Sequence, residues 1–199
     1  MGEIMRLFRN LSAIIILTSM FLLPARGSAG EATAQLSATV NELVTILVNT
    51  PVAELRANGL PDKALKLVYA RFDFSELTKQ SLGRHWLALD QAQQREFVAA
   101  LTQKLLVAYG RTVRASGDEK IEFNGEELNG NLANVETKVV SASGALPIDY
   151  RLHFVDGQWK VYDMVIDQVS IVNNYRAQFD RVIAKSSVKE LLQKIKEPS

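Results

Sequence analysis

The sequence predicts a single α+β domain, in which helices from both ends of the chain cover one face of a mostly antiparallel sheet of about four to five strands. Two observations lead to this class. Apolar residues recur at helical spacing before residue 110 and after residue 170, and at strand spacing between residues 120 and 166. The chain has 199 residues, 47% of them hydrophobic, which is enough to bury one core.

Composition and charge exclude several classes of protein. The formal charge is +1, so no electrostatic attraction to nucleic acid is expected. The chain has no cysteine, which removes disulfides, thiolate zinc sites and cysteine nucleophiles, and it has only two histidines. It also lacks a glycine-rich phosphate loop and a G-x-S-x-G elbow. We therefore predict no enzymatic activity, no cofactor and no metal site.

The first 29 residues have the pattern of a secretory signal peptide. Arg6 and Arg9 precede the apolar run Leu11–Leu23, whose 13 residues would span about 20 Å as a helix, short of the roughly 30 Å of a bilayer core. Small residues follow, and cleavage is predicted near Ala29. The alternative is an uncleaved short anchor. Residues 30–199 then form the single, nearly neutral domain.

Helices are predicted first in the remaining chain. Leu, Val and Ile side chains form one stripe over Gln35–Val48, which indicates an amphipathic helix. A shorter helical piece follows Pro51, and another helix begins near Pro61, because the missing N–H of proline costs nothing in a first turn. Gly83 marks a helix end or a close packing contact.

Three capping signals define the later helices. Asp90 with Gln93 forms a capping box before a helix that reaches about residue 109. Ser170 caps a helix with a wide apolar stripe, and Ser187 with Glu190 forms a second capping box near the end of the chain.

Four segments between these helices have the composition of strands: Lys120–Phe123, Val135–Ser141, Ile148–Val155 and Trp159–Ile166. Asp156-Gly157 is typical of a two-residue hairpin turn, because both positions need positive φ. The turn fixes a register with an apolar face and a polar face. The expected apolar-face pairs are Phe154–Trp159, Leu152–Val161, Tyr150–Asp163 and Ile148–Val165, and the expected polar-face pairs are His153–Lys160 and Arg151–Tyr162.

A few polar residues could carry chemistry. Asp163 and Asp167 form a carboxylate pair, but their position at a strand end beside a helix start favours a structural role. His85, between Arg84 and Trp86, is predicted to be a packing residue, and His153 a surface residue. The abundant feature is apolar and aromatic surface, and this pattern is compatible with a filled core as well as with a lined cavity.

The segment Gly157–Phe179, GQWKVYDMVIDQVSIVNNYRAQF, resembles the signature of the MlaC family, also called toluene-tolerance auxiliary proteins, in its W-K-V-Y-D, V-S and N-Y-R-x-Q-F elements. Gln168 departs from the family, which often has glycine before V-S. Upstream segments are also similar to the family. Arg71–Phe74 is similar to its F-D-F element, Leu82–Trp86 to L-G-x-x-W, Gln94–Phe97 to a glutamine–phenylalanine element, and Leu105–Tyr109 to L-L-x-x-Y.

This resemblance implies a periplasmic lipid carrier of Gram-negative bacteria with a nuclear-transport-factor-like sheet. The carrier would shuttle a phospholipid between the outer membrane, where it maintains lipid asymmetry with a lipoprotein complex, and an inner-membrane MCE-type ABC transporter. Its acyl chains would lie in an apolar cavity between sheet and helices, with the head group near the mouth. We expect a monomer with phospholipid as its cargo. A hopanoid or other polycyclic lipid is the alternative cargo, and a ligand-free periplasmic adaptor is the alternative function.

Within that reading, the apolar face of the sheet and two helices are predicted to supply the wall that contacts lipid tails. The ten residues are Leu101, Leu105, Val139, Tyr150, Leu152, Phe154, Trp159, Val161, Tyr175 and Phe179. Arg176, next to the apolar stripe of its helix, is predicted to be a head-group neighbour, with a surface ion pair as the alternative.

Overall fold

The computed structural model describes residues 30–110, 119–142 and 144–197. The predicted signal peptide lies outside these residues. Within them, seven helices and one 3₁₀ segment accompany a single sheet. The helices are α1 (Glu31–Val48), α2 (Val52–Asn58), α3 (Asp62–Arg71), α4 (Phe74–Leu82), α5 (Gln91–Gly110), α6 (Ile171–Lys185) and α7 (Val188–Lys196), and the 3₁₀ segment is Gly83–Ala88.

The sheet is an antiparallel meander in which each strand pairs with the next in the chain. Its strands are β1 (Lys120–Asn129), β2 (Leu132–Ser141), β3 (Gly144–Val155), β4 (Gln158–Ile166) and β5 (Val169–Ser170). This confirms the predicted α+β class. β1 is longer than predicted, because Asn124-Gly125 does not end the strand: the pairing with β2 shifts there between Phe123 and Gly125, as in a β-bulge.

Two tight turns give the last part of the sheet its hairpins. Asp156 and Gly157 have φ of 51° and 76°, which confirms the predicted two-residue turn between β3 and β4. Asp167 and Gln168, with φ of 46° and 67°, form a second such turn between β4 and β5. A glutamine with a left-handed backbone is unusual, and it stands at the position where the resemblance showed a departure.

The predicted register of the β3–β4 hairpin is correct near the turn and wrong further from it. Phe154 pairs with Trp159, Leu152 with Val161, and His153 with Lys160, as predicted. Beyond Leu152 the pairing shifts by one residue. The observed pairs are Arg151–Asp163, Tyr150–Met164 and Ile148–Ile166, in place of Arg151–Tyr162, Tyr150–Asp163 and Ile148–Val165.

The shift has a physical cause in the side chain of Asp163. Tyr162 is the extra residue of a bulge in β4, and the bulge removes Asp163 from the apolar face, where the unshifted register would place it. A carboxylate on that face would lack partners. In its observed position it accepts hydrogen bonds from the Ser170 hydroxyl at 2.6 Å and the Val172 N–H at 3.0 Å.

The predicted capping signals are present. Asp90 and Gln93 exchange two hydrogen bonds of 2.9 Å, each from a backbone N–H to the other's side chain, in the reciprocal geometry of a capping box. The Ser170 hydroxyl accepts from the Asn173 N–H, and that of Ser187 accepts from Glu190. Gly83 directly follows α4 with a φ of 54°, which confirms the predicted helix end.

Most of the buried apolar side chains form two groups, and Leu47 and Ala64 lie outside both. The sheet cluster, under α1, contains Ala32, Leu36, Ala133, Val135, Leu152, Trp159 and Val161. The helical cluster, between α4, α5, α6 and α7, contains Leu77, Leu82, Leu89, Phe97, Leu101, Leu105, Ile171, Val172, Phe179, Leu191 and Ile195. Met164 packs against both clusters and so marks the place where they meet.

Candidate functional site

The ten predicted wall residues divide between the two clusters. Five lie in or against the sheet cluster: Tyr150, Leu152, Phe154, Trp159 and Val161. Four lie in or against the helical cluster: Leu101, Leu105, Tyr175 and Phe179. Val139 belongs to neither, and it lies further along β2, paired with Ile121 of β1 and Leu146 of β3. Nine of the ten residues thus lie in or against the two clusters that meet at Met164, and their contact with lipid stays a prediction.

Burial separates the wall residues into enclosed and accessible ones. Leu101, Leu152, Trp159 and Val161 are fully enclosed, whereas Tyr150, Phe154 and Tyr175 are only partly buried. Val139 is also partly buried, and its neighbour Leu146 is 42% exposed. The apolar face of the sheet therefore continues beyond the part that the two clusters cover.

Tyr150 has an environment different from that of a surface tyrosine. Burial raises the pKa of its phenol to about 12, although part of the side chain remains accessible to water. It stands opposite Met164 on the neighbouring strand. Partial access combined with strong desolvation is what we expect of a side chain at the wall of a recess rather than on an open face.

A row of aromatic rings runs from the molecular surface to the seam. Tyr69 meets Phe74 edge to face, with centroids 5.6 Å apart, and Phe74 stacks on Phe72 at 5.7 Å. Phe72 packs against the sheet cluster and Phe74 against the helical cluster. These rings therefore connect both clusters with the half-exposed side chain of Tyr69.

At the outer end of this row lies a groove of about 770 Å³ between α3, α4, the 3₁₀ segment and α5. Its volume lies within the range of about 300–1,000 Å³ that is typical of ligand pockets. Its walls combine aromatic, amide and hydroxyl groups. They are Tyr69, Phe74, Ser75, Trp86, Gln91, Gln94, Arg95, Val98, Ala99, Thr102 and Gln103.

Sequence reasoning missed this groove. The face of α5 that carries Gln91, Gln94, Arg95 and Thr102 has the composition of a solvated helix face, and only the tertiary contacts with Tyr69 and Trp86 make it a wall. One signal was available in Gln94, which lies in the segment Gln94–Phe97 that resembles the family. Its side-chain amide donates to the carbonyl oxygens of Trp86 and Leu89 and so attaches the 3₁₀ segment to α5.

The segment Arg71–Phe74 connects the two halves of the site. The Arg71 guanidinium donates to Gln35 Oε1 and Thr39 Oγ1 of α1, both at 3.0 Å, and to the carbonyl oxygen of Trp159. Burial lowers the pKa of Arg71, and Gln35 Oε1 also accepts from the Trp159 N–H at 3.0 Å. These contacts fix α1 over the sheet cluster.

Asp73, in the same segment, caps α4 and contacts the polar face of the sheet. Its carboxylate accepts from the Glu76 N–H at 2.8 Å and lies 3.0 Å from His153 Nε2. The hydrogen bond with His153 is the main reason that the pKa of Asp73 is lowered. His153 is therefore not a freely exposed surface residue, since its side chain is only 22% exposed and also meets the ring of Tyr162 edge to face.

Arg176 is engaged with α4. Its Nε and Nη2 donate to the carbonyl oxygen of Gln80 at 2.8 and 2.6 Å, and Nη2 also lies 3.2 Å from Gln80 Oε1. It thereby caps the end of α4 next to Gly83. The role of Arg176 as a head-group neighbour stays a prediction.

His85, the predicted packing residue, is mostly buried and contacts Asp180 Oδ1 at 2.8 Å.

The described residues contain no candidate metal site and no candidate membrane-spanning helix. Those residues hold no group of three or more histidine, cysteine, aspartate or glutamate side chains that could bind a metal. No helix within residues 30–110, 119–142 or 144–197 is long and apolar enough to cross a membrane.

Comparison with protein families decides the relationship of the chain. A family model described as "MlaC protein" matches residues 37–197, which is most of the sequence and includes the groove, the helical cluster and the sheet cluster apart from Ala32 and Leu36. This chain belongs to the MlaC family. The resemblance carried by the W-K-V-Y-D and N-Y-R-x-Q-F elements is therefore confirmed.

Two MlaC relatives are informative. The intermembrane phospholipid transport system binding protein MlaC of Haemophilus influenzae is 24% identical over 122 residues, which cover 58% of this chain and 57% of that protein. The alignment thus spans little more than half of this relative. A solved phospholipid-binding protein from Ralstonia solanacearum, in complex with a phospholipid, has a TM-score of 0.74 and 24% identity, and the match covers 83% of this chain and 94% of that one. The second match shows that the two chains share the fold.

Proposed function

We propose that this protein is a periplasmic phospholipid carrier that exchanges lipid with an inner-membrane MCE-type ABC transporter and an outer-membrane lipoprotein complex. The observation that carries the proposal is the seam at Met164, where two apolar clusters meet beside a groove of about 770 Å³. Membership of the MlaC family and a shared fold with a protein that holds a phospholipid support it.

The seam has the chemistry that acyl chains require. Transfer of roughly thirty methylenes from water into an apolar environment is worth about 24 kcal/mol, so a lipid cannot cross the periplasm unaided. Nine of the ten predicted wall residues lie in or against the two clusters that meet at the seam. Met164 is the most adaptable side chain there, because it is unbranched and has three rotatable bonds. Separation of the clusters would admit the tails between sheet and helices.

The groove supplies the route by which a lipid could reach that seam. The rings of Tyr69, Phe74 and Phe72 form a continuous apolar path from the groove to both clusters. Around the entrance of this path, the amides of Gln91 and Gln103 and the guanidinium of Arg95 can donate hydrogen bonds to phosphate or ester oxygens. This arrangement supports a position of the tails inside and of the polar part of a phospholipid at the mouth.

The proposal is tested by purification of the domain from periplasm without detergent, followed by native and denaturing mass spectrometry and identification of the released small molecules. A stoichiometric diacyl phospholipid is the expected result. A polycyclic lipid would change the substrate and keep the mechanism. A lipid-free protein that also takes up nothing from phospholipid vesicles would overturn the proposal and favour an adaptor.

A charged side chain at the wall provides a second test of the proposal. Val139→Arg places a charge on the partly buried apolar face, where acyl chains could not solvate it, and should abolish lipid recovery. Leu152→Arg makes the same test at a fully buried position, with a greater cost to folding. The matched control is Leu87→Arg, because Leu87 is 87% exposed. A folded Val139→Arg protein with normal lipid content would exclude this wall.

A further inference from the structure

The first turn of α1 is held by a carboxylate from the edge strand of the sheet. Glu126 Oε1 of β1 accepts a hydrogen bond from the backbone nitrogen of Gly30 at 2.7 Å. Its Oε2 accepts from the Thr33 N–H at 2.8 Å and from the Thr33 hydroxyl at 2.6 Å. The residue before the helix, Gly30, has no side chain that could cap it, so Glu126 supplies the cap from 96 residues away.

This contact matters for the packing of α1. Two residues after Gly30, Ala32 is completely buried in the sheet cluster, and Leu36 follows one turn later. The Glu126 carboxylate therefore attaches the beginning of α1 to β1 at the point where the helix starts to cover the sheet. A carboxylate at this position also stabilises the helix through its dipole.

The nitrogen bound by Glu126 lies immediately after the predicted cleavage point. The small residues Gly27, Ser28 and Ala29 precede Gly30 in the sequence. We propose that the signal peptide is removed between Ala29 and Gly30, and that the new α-ammonium of Gly30 forms an ion pair with Glu126 that completes the attachment of α1. The inference depends on the predicted signal peptide and does not depend on lipid binding.

The chemistry is hydrolysis of one peptide bond by a signal peptidase. Water adds across the bond, so that the Ala29 carbonyl carbon receives the hydroxyl group and the Gly30 nitrogen receives the hydrogen. At neutral pH the new carboxyl group loses a proton and the new amine gains one, because an α-amino group has a pKa of about 7.7–8.0. A neutral N–H donor to Glu126 thereby becomes a cationic donor at the same place.

Without Glu126, removal of the signal peptide would destabilise α1. A cation at the amino end of a helix is repelled by the positive end of the helix dipole. The Glu126 carboxylate, 2.7 Å from the nitrogen, opposes this repulsion, because cleavage adds charge–charge attraction to a hydrogen bond whose acceptor is already ionised. Processing and folding of the first helix are in this way coupled through one side chain.

The test compares two chains that differ only in where they begin. One begins at Gly30 and the other keeps the natural residues Gly27, Ser28 and Ala29, both released from a fusion by a protease that leaves no extra residue. The chain beginning at Gly30 should melt higher by roughly 2–4 °C. Glu126→Gln should abolish or reverse this difference.

The control variant is Glu127→Gln. Glu127 is exposed and follows Glu126 on β1, so its side chain points to the opposite face of the sheet. It should leave the difference in melting temperature unchanged. Equal melting temperatures of the two chains, or an unchanged difference in the Glu126→Gln pair, would overturn the ion pair.

The site of processing is measured separately, by the intact mass of the full-length chain after secretion. A mass that corresponds to Gly30 as first residue is expected. A first residue other than Gly30 would overturn the proposal even if the protein binds lipid. A lipid-free protein that begins at Gly30 would instead refute the carrier function and leave the ion pair standing.

Discussion

Asp163 offers the most quantitative test of how this fold is held together. It is a carboxylate with 1% of its side chain exposed, and three donors surround it: the Ser170 hydroxyl at 2.6 Å, the Val172 N–H at 3.0 Å and Arg151 Nη1 at 3.0 Å. These bonds connect β4 to β3 and to the first turn of α6. We predict that Asp163→Asn destabilises the protein strongly while leaving its side-chain volume nearly unchanged.

The magnitude follows from the three contacts. An asparagine keeps one oxygen for the Val172 N–H, and its amide N–H₂ then points towards Arg151 and the Ser170 hydroxyl. One donor is thus opposed by another, and a hydrogen bond to a charged group, worth about 1.5–3 kcal/mol, is lost. The desolvation cost of the unmatched groups adds to this, and we expect a loss of about 3–4 kcal/mol in the free energy of unfolding.

The measurement is urea unfolding followed by circular dichroism, with the m-value as a check that the transition stays two-state. Arg151→Gln is the matched variant. Since 42% of the Arg151 side chain is exposed, its loss should cost no more than about 1 kcal/mol. A loss below 1 kcal/mol for Asp163→Asn, or equal losses for the two variants, would refute the argument that the buried end of this pair organises the start of α6.

Three further predictions concern the turn, the polar face and the wall. Gln168→Gly should raise the free energy of unfolding by about 0.5–1 kcal/mol, since glycine adopts a φ of 67° without steric cost. Thermal unfolding measures the change, and a decrease in stability would contradict the prediction. The lowered pKa of Asp73 gives stability that is present above its unfolded pKa of about 3.9 and is lost as the pH falls through its lower folded pKa. Asp73→Asn should therefore reduce stability at pH 7 and flatten the dependence of stability on pH below about 4. An unchanged dependence on pH in this acid range would refute the pairing with His153. Tyr150→Phe should change the free energy of unfolding by less than about 0.5 kcal/mol or increase it, because burial alone raises the pKa of Tyr150 and no hydrogen bond contributes to that shift. A loss above about 1 kcal/mol would show that the hydroxyl has a partner.

Local signals in the sequence were sufficient for the helices and for the turn between β3 and β4. The Asp90–Gln93 box and the Ser170 cap work through residues three positions apart, so neither depends on the rest of the fold. α1 began four residues earlier than predicted, because Glu126 provides its cap from another strand. No pattern within the helix itself records a partner that is distant in sequence.

The bulge and the groove were missed for a related reason. Period-two alternation predicts which residues face the same side only while the register is regular, and the bulge at Tyr162 ended that regularity where Asp163 required polar partners. The groove needs α5 to lie beside Tyr69 and Trp86, and the polar composition of that face of α5 is the same as that of a solvated helix face. The hydrophobic pattern thus predicted nine residues of the two apolar clusters and did not predict the groove beside them.

The distribution of polar contacts suggests how such a seam could open and close reversibly. The strong polar contacts lie around it: Arg71 attaches α1 to β4, Asp163 attaches α6 to β4, and Arg176 attaches α6 to α4. At the seam itself, the side chains that touch both clusters or bridge them are Met164 and the stacked rings of Phe72 and Phe74. Separation of apolar surfaces exposes no buried charge, and acyl chains that enter replace one apolar contact by another. Because neither opening nor loading breaks these polar contacts, the difference in free energy between the empty and the loaded protein can stay small enough for the lipid to be released.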